Sequence, residues 1–335
     1  MVRRRTRRFS RGGSRRSIVS CASSAGVVAA VAIVAGCLPG APPAGSPTGA
    51  CRPDPFGPVV IAALNAFGAE RHHLTAAVFD DRSGCWYQFR PGQRVSTASV
   101  VKIEIMAGVL LRAQQSQRDL TPIERQRVAV MIRNSDDRAA SALWSGLGGG
   151  PAMARIGSAF GLESTEEVSP IWGLSTTTAQ DQAQFVAEMV QGPSPLGVLY
   201  RDQAWRFLSD INPTQQWGVR SGVPNGWRVG HKNGFAGSKC CGWRVNSVGY
   251  VADPSGGGYS IAILSDRWPN LAAGIPMVEA VARLVAATLT AKQPEASTTT
   301  SAQASTTSSP APGSTATPTG SAPTPPTAST TTTVP

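Results

Sequence analysis

The sequence has few histidines. Its N-terminal segment lacks acidic residues, and its C-terminal segment lacks charged residues of either sign. It contains three histidines, and none lies at metal-ligand spacing from a cysteine, so a zinc-type site is not expected. No acidic residue precedes Asp54, and no charged residue occurs between Ser297 and Pro335. We therefore expect no metal and no other cofactor, and we expect both ends to lie outside the folded core.

The basic excess of the chain is concentrated at its beginning. The whole sequence has 31 Lys and Arg against 20 Asp and Glu, but eight of the arginines lie within the first 16 residues. The rest of the chain has 23 basic and 20 acidic residues, which is a net charge of +3. This small net charge gives no electrostatic reason to expect a nucleic-acid partner.

The arginine-rich start is followed by features that are typical of an export signal. An uncharged stretch from Ser17 to Cys51 contains the sequence Val34-Ala-Gly-Cys37, which resembles a bacterial lipobox. In such signals the cysteine becomes the lipidated first residue of the mature protein. We expect a signal peptide over 1–36, lipidation at Cys37, and an anchor and linker over 37–52. A transmembrane anchor, or cleavage beside an incidental cysteine, is the alternative interpretation.

The end of the chain has the composition of a disordered segment. Residues 297–335 consist almost wholly of Thr, Ser, Ala, Pro and Gly, which cannot bury enough apolar surface to offset their ordering entropy. A surface spacer, open to O-glycosylation on its threonines, and a tail without a specific task are equal alternatives. We therefore expect a disordered tail over 294–335 and a single folded domain over 53–293.

Within this domain, strand patterns occur at both ends and helical patterns fill the middle. Strands are expected over 74–80, 86–89, 227–235, 243–251 and 259–265. Helices are expected over 56–68, 101–112 and 272–289, with several more between 122 and 207. This distribution predicts an α+β fold, in which an antiparallel five-stranded sheet is flanked by helices and joined by an all-helical lobe. The active site is expected between the lobes.

Three short motifs, in one order and at domain-scale spacing, indicate an active site. They are Ser99-Val-Val-Lys102, Ser135-Asp136-Asp137 and Lys232-Asn233-Gly234. Serine and lysine at i and i+3 share one helix face, so the amine can reach the hydroxyl. A serine hydroxyl needs such a base, and lysine can serve when burial or nearby charge lowers its pKa. The third motif adds a lysine cation that can bind an anionic group of a substrate, and a glycine that lets another segment of the chain approach closely.

These motifs and the segments around them resemble the penicillin-recognising serine hydrolases, and most closely the class A β-lactamases. The likeness runs from about Pro53 to Lys292 and includes Thr176-Thr-Thr-Ala-Gln-Asp181 and Gly230-His-Lys-Asn-Gly-Phe-Ala-Gly237. The resemblance implies the serine β-lactamase/D,D-peptidase fold and an acyl-enzyme mechanism.

The resemblance also implies a role for each motif residue. Ser99 is the expected nucleophile, Lys102 its proton acceptor, and Ser135 the shuttle to the leaving nitrogen. The backbone N–H groups of Ser99 and Phe235 are the expected oxyanion hole. Substrate binding is assigned to four further positions: Asp137, Lys232, Asn233 and Gly234.

Each of these assignments has a structural alternative. Ser99 could cap its helix, Lys102 could be a solvated surface lysine, and Ser135-Asp136-Asp137 could cap a helix that starts at Arg138. Lys232 could be a charge on an edge strand. His231 is more consistent with packing than with a role as a base.

The departures from the family pattern weaken the expected chemistry. Asp137 stands where the family usually has Asn, and a carboxylate there should raise the pKa of Lys102. Asn233 stands where the family usually has Thr or Ser. The family's deacylating glutamate, in the pattern Glu-x-x-x-Asn, is absent, because none of Glu163, Glu166 and Glu167 has Asn four residues later. These glutamates resemble a helix end with a solvated acidic face. These departures predict acylation without efficient deacylation.

The cysteines are consistent with export. Outside the leader and Cys37, four remain, which allow three pairings. Cys51 precedes the first helix and Cys85 follows the first strand, which should run back alongside that helix, so Cys51–Cys85 is the preferred bridge. Cys240 and Cys241 would then form a vicinal bridge or stay reduced.

The sequence therefore predicts an exported, monomeric serine hydrolase that forms an acyl-enzyme with a peptidoglycan-like peptide, an ester or a β-lactam. Its only membrane contact would be the lipid anchor, on the outer face of the cell membrane and facing the cell wall. Two alternatives remain open. One is a catalytically degenerate binding or scaffolding lipoprotein, and the other is a true β-lactamase with a different deacylating group.

Overall fold

A computed structural model of the protein describes residues 49–291. The predicted signal peptide (1–36), the lipidation site Cys37 and the predicted tail (294–335) lie outside these described residues. The α-helices of the described part are α1 (Pro58–Ala66), α2 (Lys102–Gln115), α3 (Pro122–Arg133), α4 (Asp137–Leu147), α5 (Gly150–Ala159), α6 (Ala179–Val190), α7 (Val198–Ser209) and α8 (Leu271–Leu289). Its β-strands are β1 (Thr75–Asp80), β2 (Cys85–Phe89), β3 (Arg94–Ser96), β4 (Thr176–Thr178), β5 (Arg228–Ser238), β6 (Gly242–Ala252) and β7 (Gly258–Leu264).

The main sheet is built from strands at both ends of the domain. Its order is β2-β1-β7-β6-β5, and each neighbouring pair is antiparallel. The early and late strands meet where β1 pairs with β7, with Thr75 opposite Leu264. The predicted five-stranded antiparallel sheet is thereby confirmed. Strands β3 and β4 form a separate small ladder beside it.

An apolar core lies on each face of the sheet. On one face, Leu64 of α1 and Val285 of α8 pack against buried residues such as Val251. On the other face, Ile105 of α2 and Phe185 of α6 belong to the core that joins the sheet to the helical lobe. Helix α8 is long and apolar enough to span a membrane by length and composition alone. Its inner face is nevertheless buried against β6 and β7, as in a core helix.

The segment between α5 and β4 differs from the expectation. A helix end with an acidic face was predicted around Glu163–Glu167, but α5 already ends at Ala159 and the chain turns at Gly161, which has a φ of +69°. Glu166 instead forms an isolated antiparallel bridge with Thr176. We call the connection from 160 to 175 the short loop. It passes beside the start of α2, because Ser175 O accepts a hydrogen bond from the Thr97 N–H at 2.7 Å.

Both cysteine pairs form bridges. Cys51 is joined to Cys85, with 5.7 Å between their Cα atoms, as preferred from the sequence. Cys240 and Cys241 form a vicinal bridge in the turn between β5 and β6. The first bridge fixes the segment before α1 to the edge strand β2. The second lies at the opposite side of the sheet, where β5 is the edge strand.

Candidate active site

The predicted nucleophile lies in a tight turn at the start of α2. Residues Ala98–Val101 form a 3-10 helix that continues directly into α2 at Lys102. Side chains at i and i+3 eclipse each other in a 3-10 helix, and Lys102 Nζ accordingly lies 2.9 Å from Ser99 Oγ. Ala98 has a φ of +47°, a left-handed conformation that is costly for alanine. Such local strain is typical of functional sites, where the surrounding structure holds it in place.

Lys102 is fully buried and surrounded by acceptors. Its Nζ lies 2.7 Å from Ser135 O, 3.0 Å from Ser135 Oγ and 2.6 Å from Asp137 Oδ1. It also lies 4.9 Å from the ring centroid of Trp172. Burial lowers the pKa of Lys102, while the Asp137 carboxylate opposes this shift without cancelling it. The predicted effect of Asp137 is therefore present in sign, but desolvation outweighs it.

The second motif combines a helix cap with two site residues. Asp136 is the N-cap of α4, and its Oδ1 accepts a hydrogen bond from the Ala139 N–H at 2.7 Å. The capping alternative is thus correct for this residue. Ser135 precedes the cap with a φ of +58°, so its carbonyl and hydroxyl both reach Lys102. Asp137 stays open to solvent, with 75% of its side chain exposed, although it contacts a buried lysine.

Lys232 approaches the same serine from strand β5. Its Nζ lies 3.0 Å from Ser135 Oγ and 2.8 Å from Asn233 O, and it is fully buried. Burial lowers the pKa of Lys232 well below its usual value, and the positive charge of Lys102 lowers it further. The Ser135 hydroxyl therefore joins two amines, and it can donate its own proton only to one that is neutral.

Glycine at 234 lets β5 lie against the nucleophile turn. A Cβ at this position would lie 2.7 Å from Thr97 O and 2.8 Å from Val100 N, which is too close for any side chain. On the adjacent strand, the Asn246 side-chain amide donates to Thr97 O at 3.1 Å and holds the same turn. The next residue, Phe235, has its ring centroid 6.3 Å from that of Trp217. Its backbone N–H remains the predicted partner of Ser99 in an oxyanion hole.

The side chain of Asn233 does not take the place predicted for it. It is 1% exposed, its amide nitrogen donates to Gln215 O at 2.8 Å and to Trp217 O at 3.3 Å, and its oxygen accepts from Ser247 Oγ at 2.7 Å. With both ends of the amide engaged, Asn233 positions the segment before β5, and a contact with substrate is not supported.

His231 is a packing residue, as expected. It is buried, and its Nε2 lies 3.1 Å from Gln215 O. Burial lowers the pKa of His231 to about 4, so the ring is neutral at physiological pH. No general-base role follows from this arrangement.

The acidic residues of the short loop also differ from the expectation. Glu163 and Glu166 are exposed, as predicted, but Glu167 points inward and accepts from Ser175 Oγ at 2.7 Å. Its other oxygen is buried and faces the carboxyl group of Glu104, a fully buried residue of α2. Burial and the proximity of Glu167 raise the pKa of Glu104 well above its usual value. Glu167 is therefore half of a buried acid pair and not part of a solvated face.

A cleft of about 610 Å³ opens beside Ser99. Its lining includes Ser99 and Asp137 at one end, Trp172 of the short loop along one wall, and Ala236 and Arg244 of the hairpin along the other. This volume suits a small ligand. The Lys102–Ser99 pair therefore lies next to an accessible hollow.

Several residues of the site have no sequence motif. Trp172 lies over Lys102, Gln215 accepts from Asn233 and orients His231, Asn246 holds the nucleophile turn, and Arg244 lines the cleft. They are separated from their partners by up to 150 positions. The signal that could have found Arg244 and Asn246 is their place on the strand that follows the third motif.

The sheet with its two helical layers, and the Ser99–Lys102 pair at their junction, have the architecture of the class A β-lactamase fold. Residues 124–289 match the model described as the β-lactamase enzyme family. The predicted family resemblance and the predicted fold are both confirmed.

Solved structures of class A β-lactamases and of PBP-A share this fold at low sequence identity. A variant of the reconstructed class A β-lactamase of the last common ancestor of Gram-negative bacteria is 24% identical, covers 68% of this chain and 96% of that chain, and has a TM-score of 0.59. A β-lactamase from Xanthomonas campestris is 21% identical, with coverages of 69% and 97% and a TM-score of 0.60. A mutant of PBP-A, seen as an acyl-enzyme with penicillin G, is 21% identical, with coverages of 68% and 94% and a TM-score of 0.58.

Curated relatives come from mycobacteria. The protein named "Putative lipoprotein LppW" of Mycobacterium tuberculosis is 28% identical over 187 residues, which cover 53% of this chain and 59% of the relative. The match to the Mycobacterium bovis protein of the same name has the same values. The chain thus spans about 59% of the length of these relatives.

Proposed function

We propose that the protein is an exported, lipid-anchored serine hydrolase that forms an acyl-enzyme at Ser99. The observation that carries the proposal is the buried Lys102 amine, 2.9 Å from Ser99 Oγ in an open cleft, with a lowered pKa. A solvated surface lysine, the structural alternative, would be neither buried nor depressed in pKa. A helix-capping serine would have no need of this partner.

The proposed reaction begins with attack of Ser99 Oγ on a carbonyl carbon, while its proton passes to neutral Lys102 Nζ. The negative charge that develops on the carbonyl oxygen is stabilised by the backbone N–H groups of Ser99 and Phe235. Ser135 then gives its proton to the leaving nitrogen or oxygen and recovers one from Lys102, to which it is hydrogen bonded. Lys232 Nζ, 3.0 Å from Ser135 Oγ, holds this hydroxyl on the side of the leaving group.

Slow deacylation is part of the proposal. Of the described residues that line the cleft, Asp137 alone carries a carboxylate, and that carboxylate is already paired with Lys102 at 2.6 Å. Glu167, on the short loop, is held by Ser175 and Glu104 and does not line the cleft. A carboxylate free to activate water is therefore missing from this surface, and the acyl-enzyme should persist.

The proposal also includes a cellular setting and a substrate class. The lipoprotein name of the mycobacterial relatives supports export and anchoring at Cys37, with the domain on the outer face of the cell membrane. A monomer in that place would meet peptidoglycan-like peptides, esters and β-lactams. The match of residues 124–289 to the β-lactamase enzyme family model supports this choice.

Labelling with a fluorescent penicillin tests the proposal. The wild-type protein should form a covalent adduct at Ser99, visible by mass spectrometry and stable for hours, and Ser99→Ala should form none. An adduct that turns over rapidly, with multiple-turnover hydrolysis of a chromogenic cephalosporin, would instead identify a true β-lactamase. No adduct with penicillins, a D-Ala-D-Ala peptide or fluorophosphonates would contradict acylation and favour a binding or scaffolding lipoprotein.

A further inference from the structure

The cleft contains an arginine whose charge is not used within the protein. Arg244 lies on β6, is half-buried, and lines the cleft. Among residues 49–291 no carboxylate lies within ion-pair distance of its guanidinium, and no hydrogen bond or aromatic contact engages it. The other charged residue in the lining is Asp137, which is paired with Lys102 at 2.6 Å. A half-buried, unpaired guanidinium in a cleft is a candidate ligand-binding group.

The strand register shows that Arg244 faces the reactive side of the sheet. Side chains alternate between the two faces of a strand, so Arg244 shares its face with Asn246. Asn246 reaches the carbonyls of Ser96 and Thr97 in the nucleophile turn, at 2.9 Å and 3.1 Å. Val245, which lies between them, faces α8 instead. It packs so closely on Gly274 of that helix that a Cβ on Gly274 would lie 2.5 Å from a Val245 methyl group.

The same register places Arg244 a short distance beyond the reactive centre. Asn246 pairs with Gly234, which touches the nucleophile turn, and Arg244 pairs with Ala236, two residues further along β5. Two residues of a strand span roughly 7 Å. Ala236 has a small side chain, which leaves the guanidinium room above it.

The direction of β5 defines which part of a substrate meets this arginine. Lys232, at one side of Gly234, lies with Ser135 on the side of the proposed leaving group. The proposed oxyanion donor Phe235 follows, and Ala236 and Ser238 continue along the opposite, acyl side of the cleft. The facing wall there is apolar, with Ile171 59% exposed and Leu174 41% exposed.

We propose that Arg244 binds a carboxylate on the acyl side of the substrate, so that the cleft selects acyl groups that combine an apolar body with an anionic end. The apolar body would lie against the short loop, and the guanidinium would hold the carboxylate through paired N–H donors. This inference rests on the proposed function for the orientation of the substrate. It adds to that function a residue that determines specificity, Arg244, and a class of substrate, namely acyl groups with an anionic end.

Carbenicillin and benzylpenicillin form a matched pair of probes, because they differ by one carboxylate in the acyl side chain. Their affinities are measured by tryptophan fluorescence with Ser99→Ala, which cannot be acylated. We expect carbenicillin to bind about tenfold more tightly, the size of one charge-assisted hydrogen-bonding pair. Adding Arg244→Gln should remove this preference while leaving benzylpenicillin affinity unchanged. Adding Lys239→Gln, which removes an exposed cation from the turn between β5 and β6, should preserve the preference for carbenicillin.

Three results would overturn the inference. One is a preference for carbenicillin that survives Arg244→Gln, and another is no preference in the first place. The third is an equal loss for both penicillins, which would mean that Arg244 holds the ring carboxylate that they share. Because Ser99→Ala reports binding without chemistry, a wild-type protein that fails to acylate would contradict the proposed function and leave this measurement intact.

Discussion

At the scale of single residues, the balance of charges around Lys102 decides whether the site can react. A lysine is a useful base only when its neutral form is populated near the working pH. Burial favours the neutral form of Lys102, and the Asp137 carboxylate, 2.6 Å away, favours the charged form. Asp137 thus disfavours the neutral form of Lys102 that the proposed reaction needs, and its replacement by an amide should favour that form.

We expect Asp137→Asn to shift the pH profile of acylation towards lower pH. Acylation requires neutral Lys102, so its rate falls as the pH drops through the pKa of this residue. Removing the carboxylate lowers that pKa further, and at pH 7 acylation by benzylpenicillin should rise by roughly three- to tenfold. The profile is measured by stopped-flow quenching of tryptophan fluorescence.

The control for this experiment is Asp202→Asn, which removes an exposed carboxylate on α7. Its pH profile should match that of the wild type. An acid limb of Asp137→Asn that stays in place or moves to higher pH would show that Asp137 does not set the protonation of Lys102.

At the scale of secondary-structure elements, the short loop is joined to α2 through a pair of carboxyl groups. Glu104 Oε1 accepts from Gln182 Nε2 at 2.9 Å, and its other oxygen faces Glu167, whose Oε2 is held by Ser175. Burial and the neighbouring Glu167 carboxylate raise the pKa of Glu104, because a second buried negative charge beside the first is costly. The negative charge of Asp181 nearby raises the pKa of Glu104 further.

The pKa of Glu104 is raised in the folded state, which fixes the sign of a stability effect. As the pH rises above about 4.5, the unfolded chain releases this proton while the folded protein retains it, so the free energy of unfolding falls. Glu104→Gln keeps the contact with Gln182 and can donate to Glu167, but it does not titrate. We expect it to be more stable than the wild type at pH 8 by at least about 1 kcal/mol, and the gain to vanish near pH 4.

Thermal unfolding at several pH values checks this prediction. Glu163→Gln, on the exposed part of the same loop, is the matched control and should follow the wild type at every pH. A Glu104→Gln protein that is less stable than the wild type at pH 8 would contradict the raised pKa of Glu104.

These elements also show what a sequence can and cannot predict. The strand patterns on either side of the helical region predicted the fold, and the spacing of Ser99 and Lys102 predicted their contact, because both depend on local periodicity. The inward turn of Glu167 was missed, since its partner Glu104 lies 63 positions away and a glutamate in a polar loop has no pattern that marks it as buried. Asn233 was misplaced for the same reason: its partners, the carbonyls of Gln215 and Trp217, belong to an irregular segment.

At the scale of the whole molecule, the Cys51–Cys85 bridge and the candidate site lie at opposite edges of one sheet. The cleft lies at the β5 edge, and the bridge between Cys51 and Cys85 lies at the β2 edge, four strands away. With neighbouring strands about 4.8 Å apart, the two sites are separated by roughly 19 Å. A change at the bridge should therefore affect unfolding without altering the site.

The double variant Cys51→Ser/Cys85→Ser tests this separation. The bridge closes a loop with a sequence separation of 34, and the loss of such a constraint costs about 3–4 kcal/mol through the entropy of the unfolded chain. The free energy of unfolding in urea should fall by this amount, while the rate of labelling by fluorescent penicillin at 25 °C stays within twofold of the wild type. A large loss of labelling in a protein that is still folded would show that the N-terminal segment and the cleft are coupled. Equal stability would instead show that packing of α1 on the sheet, and not the covalent link, holds this edge.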